Sequence, residues 1–398
     1  ILVIHFGDSD GIGTKVQNAR MFLDLPVVSR ADAIRTMQES SWKKNLQIQK
    51  TSAGFRRKQT FVQPLGKVGL VNLGNSCFMN SALRALFCTA DFKEAILNDT
   101  LTVDSSKVMT TRLRETFAGL STSRLSIVTP SALYKALPEW LNDGHQQDAA
   151  EFAKLEDEDP ASKQAMSSFH GTLVNQIRCS QCGTISSNKE DFYDLTIPLP
   201  RADSADLQAV VDIFPSTEEL DDENNNKYFC NHCRSLQDAK RYTMLDTLPI
   251  NLILLLNRFE YDTKRSRRIK IDTPISLTKS IQIKIRDGHD EVINYDLYAV
   301  VIHTGESASY GHYYTYARDS MAVDNKEQVI TSSPWLLYND TSITNSSFEI
   351  MQQALVKNHT DTPYMLFFRK TDSSKSNTTT VSSSPLPTKR SVSNLKRE

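Results

Sequence analysis

The sequence predicts an α+β protein in which the helices come before most of the strands. Between residues 78 and 153, apolar residues recur at helical spacing, with breaks at Pro130, Pro138 and Gly144. From residue 171 onward, short runs rich in β-branched and aromatic residues replace that pattern. Because helices and strands occupy separate stretches of the chain, we expect the α+β class.

The helical part begins with a predicted helix over Phe78–Phe87, which follows the Gly/Asn-rich loop VNLGNS. The strand-rich part has two sections. Residues 171–245 hold short β-like runs such as GTLVNQIRCSQC around two pairs of cysteines, with an acidic insert, TEELDDENNN, that we expect to be disordered. Stronger strand signals follow in NLILLLNRFEY, NYDLYAVVIHTG, GHYYTYARD, WLLYND and TPYMLFFRK.

The composition is that of an ordinary globular protein. The chain has 398 residues, of which 39% are hydrophobic and 23% are charged, and its net charge is −1. This balance gives no reason to expect a nucleic acid or a membrane surface as a partner. No apolar run approaches the roughly 18 residues that a membrane-spanning helix needs.

The two ends of the chain differ from the middle. The first residue is Ile1, and ILVIHFGDSDGIG has neither the basic lead nor the cleavage site of a signal peptide. We interpret residues 1–66 as a leader from an upstream region of a longer protein. Residues 372–398 are rich in Ser and Thr, bury little apolar surface and are predicted to be disordered.

Cys77 is the best candidate nucleophile. A thiol acts near neutral pH when its environment favours the thiolate and a base holds it in place. Cys77 stands at the predicted start of the Phe78–Phe87 helix, where backbone N–H groups and the helix dipole favour negative charge. Gly74 lets the preceding loop turn tightly, and the amide of Asn72 is a candidate donor to an oxyanion. A buried, inert cysteine at a helix start remains the alternative.

The base should be a histidine on a rigid element, and His312 in YGHYYTYARD fits best. Gly311 allows close backbone approach before it, and tyrosines anchor the strand after it. A hydrogen-bonded strand histidine is the plain alternative, and His303, His145 and His170 compete. The group that fixes the imidazole tautomer is expected in WLLYND, where Asn339 and Asp340 follow a strand and either would serve.

Four of the six cysteines form two C-x-x-C pairs, Cys179/Cys182 and Cys230/Cys233. Six cysteines are few for a disulfide scaffold, so we expect a reducing compartment, the cytoplasm or the nucleus. Four thiolates from two such turns suit one tetrahedral, structural Zn²⁺. Ordinary core cysteines and a thioredoxin-type redox site are weaker alternatives. With no open coordination position, this zinc would leave any nucleophilic chemistry to the thiol, without a catalytic cofactor.

Together these segments resemble the ubiquitin-specific protease family of papain-like deubiquitinases. The resemblance rests on GLVNLGNSCFMNSALRAL, GHQQDAAEF, LPINLILLLNRFEYD, YDLYAVVIHTG…GHYYTYAR and WLLYND, in that order along the chain. It covers the chain from about Gly69 to Lys370, and it looks most like the branch that contains ubiquitin carboxyl-terminal hydrolases 35 and 38. It implies a thumb–palm–fingers fold, with a catalytic domain over residues 67–371 and zinc-bearing antiparallel fingers near 171–245.

The resemblance also implies roles for individual residues. Cys77 matches the nucleophile, His312 the base, Asn339 the orienting residue, Asp340 an adjacent acidic helper and Asn72 the oxyanion donor. Three further residues match positions that hold the substrate tail or line its channel: Asp148, Glu151 and Tyr313. His303, at the end of an apolar strand, is expected either to contact that tail or to support the site from behind. For the two carboxylates, a solvated pair at a helix end is the bland alternative. The implied partners are ubiquitin and ubiquitinated proteins, and the implied reaction is hydrolysis at the C-terminal glycine of ubiquitin.

The sequence departs from the family after GHQQDAAEF, where AKLEDEDPASKQAM looks like a truncated helix. This truncation keeps a ubiquitin-binding pseudoenzyme of the same fold as the alternative function. A third possibility, an interaction module built on the cysteine pairs alone, would leave the other matching segments unexplained. The basic run KRSRRIK, Lys264–Lys270, is interpreted as a solvated hairpin in preference to a nuclear import signal.

Overall fold

The computed structural model describes residues 67–98, 108–153, 164–213, 217–223, 225–262, 266–285, 291–307, 310–319 and 334–371. The predicted leader over residues 1–66 and the predicted tail over residues 372–398 lie outside these residues. So does most of the shortened stretch after Phe152, from residue 154 to residue 163.

The helical part comes first, as the sequence predicts. The α-helices are α1 Cys77–Cys88, α2 Ala90–Asn98, α3 Val108–Thr122, α4 Ser131–Ala136, α5 Ala149–Ala153, α6 Leu207–Asp212 and α7 Phe348–Lys357. Pro130 immediately precedes α4, and Pro138 precedes a short 3-10 turn, so both predicted breaks are confirmed. Within the described residues, no helix combines the length and the apolar character needed to cross a bilayer.

The strands of the first half are short. They are β1 Gly69–Leu70, β2 Ile127–Val128, β3 Gly171–Cys179, β4 Ile185–Phe192, β5 Leu195–Pro198, β6 Ala205–Asp206, β7 Thr217–Leu220, β8 Tyr228–Cys230, β9 Ser235–Gln237 and β10 Ala239–Thr247. The later strands are β11 Asn251–Asn257, β12 Phe259–Asp262, β13 Arg267–Lys270, β14 Ile275–Ser276, β15 Ser280–Ile285, β16 Glu291–Thr304, β17 His312–Arg318, β18 Trp335–Asn339, β19 Ser342–Ser346 and β20 Thr362–Lys370. All five strong strand predictions are confirmed.

An eight-stranded sheet forms the centre of the molecule. Its order is β19-β18-β17-β16-β20-β11-β5, and β15 also pairs with β16. The pairs are antiparallel apart from β5 with β11. Helix α1 is buried along its whole length and packs on the face that β16 and β17 present. This packing brings the start of α1 beside the start of β17.

A second, four-stranded sheet has the order β4-β3-β10-β7. The β8–β9 hairpin lies between β7 and β10 in the chain. The expectation of disorder for TEELDDENNN is wrong for its first four residues, which form β7 and pair with β10. The reason is charge pairing between strands. Glu218 accepts from Arg241 at 2.9 Å, and Glu219 accepts from Lys240 at 2.7 Å.

The basic run lies where the hairpin interpretation places it. Strand β13 carries Arg267–Lys270 and pairs antiparallel with β12, while residues 263–265 lie outside the described residues. Lys270 ends this strand with its ammonium group turned inward. It donates to the carbonyl oxygens of Gly305 at 2.6 Å and Thr360 at 2.9 Å.

Candidate active site

Cys77 is the first residue of α1 and is 3% exposed. The loop before it wraps around the side chain of Asn72, whose Oδ1 accepts from the backbone N–H groups of Gly74 at 3.1 Å and Ser76 at 3.2 Å. Gly74 has a φ of +118°, a conformation that residues with a Cβ rarely adopt. The glycine thus permits the tight turn that delivers Cys77 to the helix start.

His312 is the first residue of β17, directly after Gly311. A Cβ at Gly311 would overlap Nε2 of His303 and the carbonyl oxygen of Thr304, so the backbone comes this close only with glycine. The Gly311 N–H donates to Oε1 of Gln146 at 2.7 Å. These contacts fix the backbone from which the imidazole projects.

The His312 ring lies between Cys77 and Asn339. Its Nε2 is 2.7 Å from Oδ1 of Asn339, the last residue of β18. A hydrogen bond with Cys77 is the main cause that raises the pKa of His312 to about 9, and the bond to Asn339 adds to it against the effect of burial. With Nε2 bound to an amide oxygen, Nδ1 is the nitrogen left to face the thiol.

Asp340 contacts the other side of the site. Its Oδ2 accepts from Nδ2 of Asn72 at 2.9 Å, and its Oδ1 accepts from Nδ2 of Asn80 at 2.8 Å. Asp340 also raises the pKa of His312 through its charge, as the smallest of the named causes. The residue types alone left both Asn339 and Asp340 open as the imidazole partner, and the family resemblance implied Asn339. In the structure the hydrogen bond goes to Asn339.

The charges of Asp148, Cys77 and Glu151 all act on the Tyr313 hydroxyl. Burial raises the pKa of Tyr313 well above its ordinary value, followed by the negative fields of Asp148 and Cys77. Asp148 accepts the Tyr364 hydroxyl at 2.7 Å and 2.6 Å and also accepts the backbone N–H of Ala150 at 2.7 Å. Glu151 is exposed on α5. Two carboxylates therefore lie near Tyr313, one half-buried and one exposed.

His303 is placed differently from the sequence expectation of a contact with the substrate tail. Its side chain is 2% exposed, and its ring packs against Phe259 and Tyr313 with centroids 5.2 Å and 4.7 Å apart. Burial, with the positive fields of Lys270, His312 and Arg258, lowers its pKa to about 3. A neutral imidazole enclosed in this way has no surface for direct contact with a peptide, and it supports Tyr313 from behind.

The four paired cysteines form one cluster. The sulfur atoms of Cys179, Cys182, Cys230 and Cys233 all lie within 4.8 Å of one another. Each pair closes the same turn: the N–H of Gly183 donates to the Cys179 carbonyl at 3.0 Å, and the N–H of Arg234 donates to the Cys230 carbonyl at 2.7 Å. Both donors have positive φ, +71° and +55°. The two similar turns bring the four sulfur atoms together, and these four sulfurs could hold a metal ion.

Residues 68–368 match the family described as ubiquitin carboxyl-terminal hydrolase. The chain belongs to the ubiquitin carboxyl-terminal hydrolase family. It is 30% identical over 328 residues to ubiquitin carboxyl-terminal hydrolase 48 of Danio rerio, a match that covers 77% of this chain and 29% of that protein. It is 23% identical over 506 residues to ubiquitin carboxyl-terminal hydrolase 35 of Homo sapiens, covering 80% of this chain and 49% of that protein.

The family resemblance is therefore confirmed, and the relatives include hydrolase 35, from the predicted branch, together with hydrolase 48. The chain spans less than half the length of these curated relatives. The 506 aligned positions exceed the 398 residues of the chain, so the human hydrolase carries additional segments within the aligned region.

Three side chains of this candidate site were not singled out from the sequence. Gln146 holds the backbone before His312, Tyr364 holds Asp148, and Asn80 holds Asp340. Asn80 had a usable signal, because it lies three residues after Cys77 and shares its helix face. Tyr364 had none, because its contact with Asp148 joins positions 216 residues apart in the chain.

Proposed function

We propose that this chain is a thiol deubiquitinase that hydrolyses the peptide or isopeptide bond at the C-terminal glycine of ubiquitin. The observation that carries the proposal is the contact of the His312 ring with both Cys77 and Asn339. Membership of the ubiquitin carboxyl-terminal hydrolase family supports the choice of substrate. The partners are then ubiquitin and the proteins that carry it.

The first half of the reaction forms a thioester. The Cys77 sulfur attacks the carbonyl carbon of the terminal glycine, and the carbonyl oxygen becomes an oxyanion. Asn72 donates one N–H of its amide to Asp340, which leaves the second N–H for that oxyanion. The tetrahedral intermediate collapses, the C–N bond breaks, and the leaving amine takes a proton from His312.

The raised pKa of His312 defines its role in this step. With a pKa of about 9, the ring carries its second proton near neutral pH. An imidazolium beside Cys77 is the counter-ion that a thiolate nucleophile needs, and it already holds the proton for the leaving amine. Asn339 keeps the ring oriented through Nε2, so that the proton on Nδ1 faces the reacting atoms.

The second half of the reaction regenerates the thiol. After the amine departs, His312 is neutral and takes a proton from a water molecule that attacks the thioester carbonyl. The same oxyanion position is used again, the C–S bond breaks, and ubiquitin leaves with a free carboxylate. The proton on His312 restores the starting pair with Cys77.

We assign the approach to Cys77 to the extended C-terminal tail of ubiquitin. Glu151 is exposed there and Asp148 is half-buried. The Glu151 carboxylate can therefore move to meet a basic peptide more freely than the Asp148 carboxylate can. Because Asp148 already accepts from Tyr364 and Ala150, it acts mainly by holding the channel wall in place. Glu151 is the better candidate for a direct ion pair with the tail.

We infer that the cysteine cluster holds a structural zinc ion. Zinc–sulfur bonds of about 2.3 Å place the four sulfurs of a tetrahedral site about 3.8 Å apart. The 3.6 Å between the sulfurs of Cys182 and Cys230 agrees with that spacing. Bound zinc would cross-link the β3–β4 turn to the β8–β9 hairpin, and it takes no part in the hydrolysis. The six free thiols support a location in the cytoplasm or the nucleus.

A fluorogenic substrate tests the proposed activity. Ubiquitin with an amide-linked fluorophore at its C-terminus should be cleaved by the 398-residue chain and by Cys88→Ala, which removes a buried thiol at the far end of α1. Cys77→Ala should release no fluorophore. A folded wild-type chain that binds ubiquitin without releasing the fluorophore would instead identify a ubiquitin-binding pseudoenzyme.

A further inference from the structure

Three polar residues follow Cys77 on one face of α1. Asn80, Ser81 and Arg84 lie three, four and seven positions after the thiol, which is the spacing of a single helix face. Asn80 is 4% exposed and Arg84 is 2% exposed. A charged side chain that is buried on the same helix face as a nucleophile needs a specific set of partners.

The amide of Asn80 has only one chemically sensible orientation. Its Nδ2 donates to Oδ1 of Asp340 at 2.8 Å and to the carbonyl oxygen of Val71 at 3.3 Å. Both partners are acceptors, so a flipped amide would set its own oxygen against a carboxylate and a carbonyl. The Oδ1 atom is therefore the acceptor that is left for another donor.

The guanidinium of Arg84 is only partly satisfied. Its Nη2 donates to the carbonyl oxygen of Val68, and its Cζ atom lies 4.2 Å from the ring centroid of Tyr338. Within the described part of the chain, neither Nη1 of Arg84 nor Oδ1 of Asn80 has a hydrogen-bond partner. One of these atoms is a donor and the other is an acceptor.

Both residues line the same small cavity. Its volume is about 10 Å³, and Ser81, Tyr313, Tyr338 and Asp340 also contribute to its wall. A space of that size fits about one water molecule, and a buried water is stable where at least two polar groups face it. A water accepting from Arg84 and donating to Asn80 satisfies both atoms.

We propose that Asn80 is a positioning residue for the oxyanion donor Asn72, and that a buried water bridging Asn80 to Arg84 fixes its orientation. The chain of contacts runs from Arg84 through the water to Asn80, then through the two oxygens of Asp340 to Nδ2 of Asn72. Asp340 is thereby held from both sides, and the remaining N–H of Asn72 is aimed. This role rests on the proposed hydrolase function, whereas the water site itself does not.

Asn80→Ala should lower kcat for the fluorogenic ubiquitin substrate about tenfold, because a donor aimed poorly at the oxyanion loses part of its effect. KM should stay within about twofold, since Asn72 meets charge that develops only in the transition state. In an Asn72→Ala background the same change should have almost no further effect, because its target is gone. Equal losses in both backgrounds would overturn the positioning role.

Asn251→Ala is the matched control. Asn251 is also a buried asparagine, 1% exposed, that donates to a carboxylate, Asp91, at 3.0 Å and has an Oδ1 without a partner among the described residues. It tests the general effect of losing a buried asparagine and should leave kcat unchanged. The reaction of Cys77 with iodoacetamide forms no oxyanion, so its rate should be the same in Asn80→Ala and wild type.

A high-resolution crystal structure of the wild-type chain tests the water directly. We expect one ordered water within about 3.2 Å of both Nη1 of Arg84 and Oδ1 of Asn80. A direct hydrogen bond between the two side chains, or a dry cavity, would overturn the bridge. An inactive wild type would instead contradict the proposed function, and the crystal structure would still decide on the water.

Discussion

Asn339 and Asp340 are neighbours in the chain, yet their side chains serve opposite sides of the site. Oδ1 of Asn339 accepts from Nε2 of the His312 ring, while Asp340 accepts from Asn72 and Asn80. The backbone separates them, because Asp340 has a φ of +49° in the turn between β18 and β19. The residue types alone could not assign the two roles, since both types suit either one. The family resemblance assigned the ring to Asn339.

Removal of Asn339 should change the pH dependence of catalysis. The bond to Asn339 helps to hold the pKa of His312 at about 9, so Asn339→Ala should move the alkaline limb of kcat/KM to lower pH. Turnover should fall about tenfold or more near neutral pH, because the ring loses its orientation. Initial rates on fluorogenic ubiquitin from pH 6 to about 10 would measure both effects. An unshifted alkaline limb would show that Asn339 does not act on the ring.

His303 should make the fold sensitive to acid. Its pKa is about 3 in the folded protein and 6.5 ordinarily, so the unfolded chain binds the proton more readily. The contribution of its neutral form to stability is present above about pH 6.5 and is lost as the pH falls toward 3. At pH 5 the loss is about 2 kcal/mol.

Thermal unfolding at pH 7.5 and pH 5 would measure this effect. In His303→Gln, the difference in free energy of unfolding between the two pH values should shrink by about that amount. Other titrating groups contribute equally to both proteins, so the comparison isolates position 303. The same pH dependence in the variant would contradict the burial of a neutral imidazole.

The hairpin β8–β9 is too small to be stable alone. Each strand has three residues, and Phe229 and Leu236 are 55% and 60% exposed. The hairpin needs another constraint, and the cysteine cluster offers one by linking it to the turn after β3. The sequence revealed this cluster because C-x-x-C spacing is a local property.

Cys230→Ser should therefore lower the metal content and the stability of the fold more than it changes the reactivity of Cys77. The variant should lose the bound zinc, and its unfolding midpoint should fall by several degrees, because metal binding contributes folding free energy. The reaction of Cys77 with iodoacetamide should be nearly unchanged at a temperature where the variant is folded. Metal analysis of the purified wild-type chain comes first, since a wild type without zinc would contradict the assignment.

Helix α5 has five residues and carries one acidic side chain, Glu151, for which we make a further prediction. Glu151→Gln should raise KM for ubiquitin substrates about tenfold at low ionic strength, with little change in kcat, because the ion pair forms equally in the ground state and the transition state. The difference from wild type should diminish with added salt. Steady-state kinetics at two salt concentrations would measure it. A loss confined to kcat would contradict a role in binding the tail.

The whole molecule shows which features a single sequence can predict. The strands of the central sheet and the choice of Cys77 and His312 as candidates could be predicted, since apolar content and short motifs are properties of nearby residues and the order of the motifs can be seen in the sequence. The charge-paired strand β7 was missed because its partners, Arg241 and Lys240, come later in the chain. The burial of His303 and the bond from Gln146 to Gly311 depend on how distant elements pack.

One fold brings Cys77 and His312 together, and we propose that this pair acts on ubiquitin. Helix α1 supplies the thiol, and the sheet supplies both the imidazole and its partner Asn339. Ubiquitin with an electrophile in place of its terminal carboxylate tests this claim most directly, followed by mass spectrometry of the adduct. We predict one covalent adduct on Cys77, absent in Cys77→Ala and retained in Cys88→Ala. An adduct on a different cysteine, or no adduct on a folded chain that binds ubiquitin, would contradict the account.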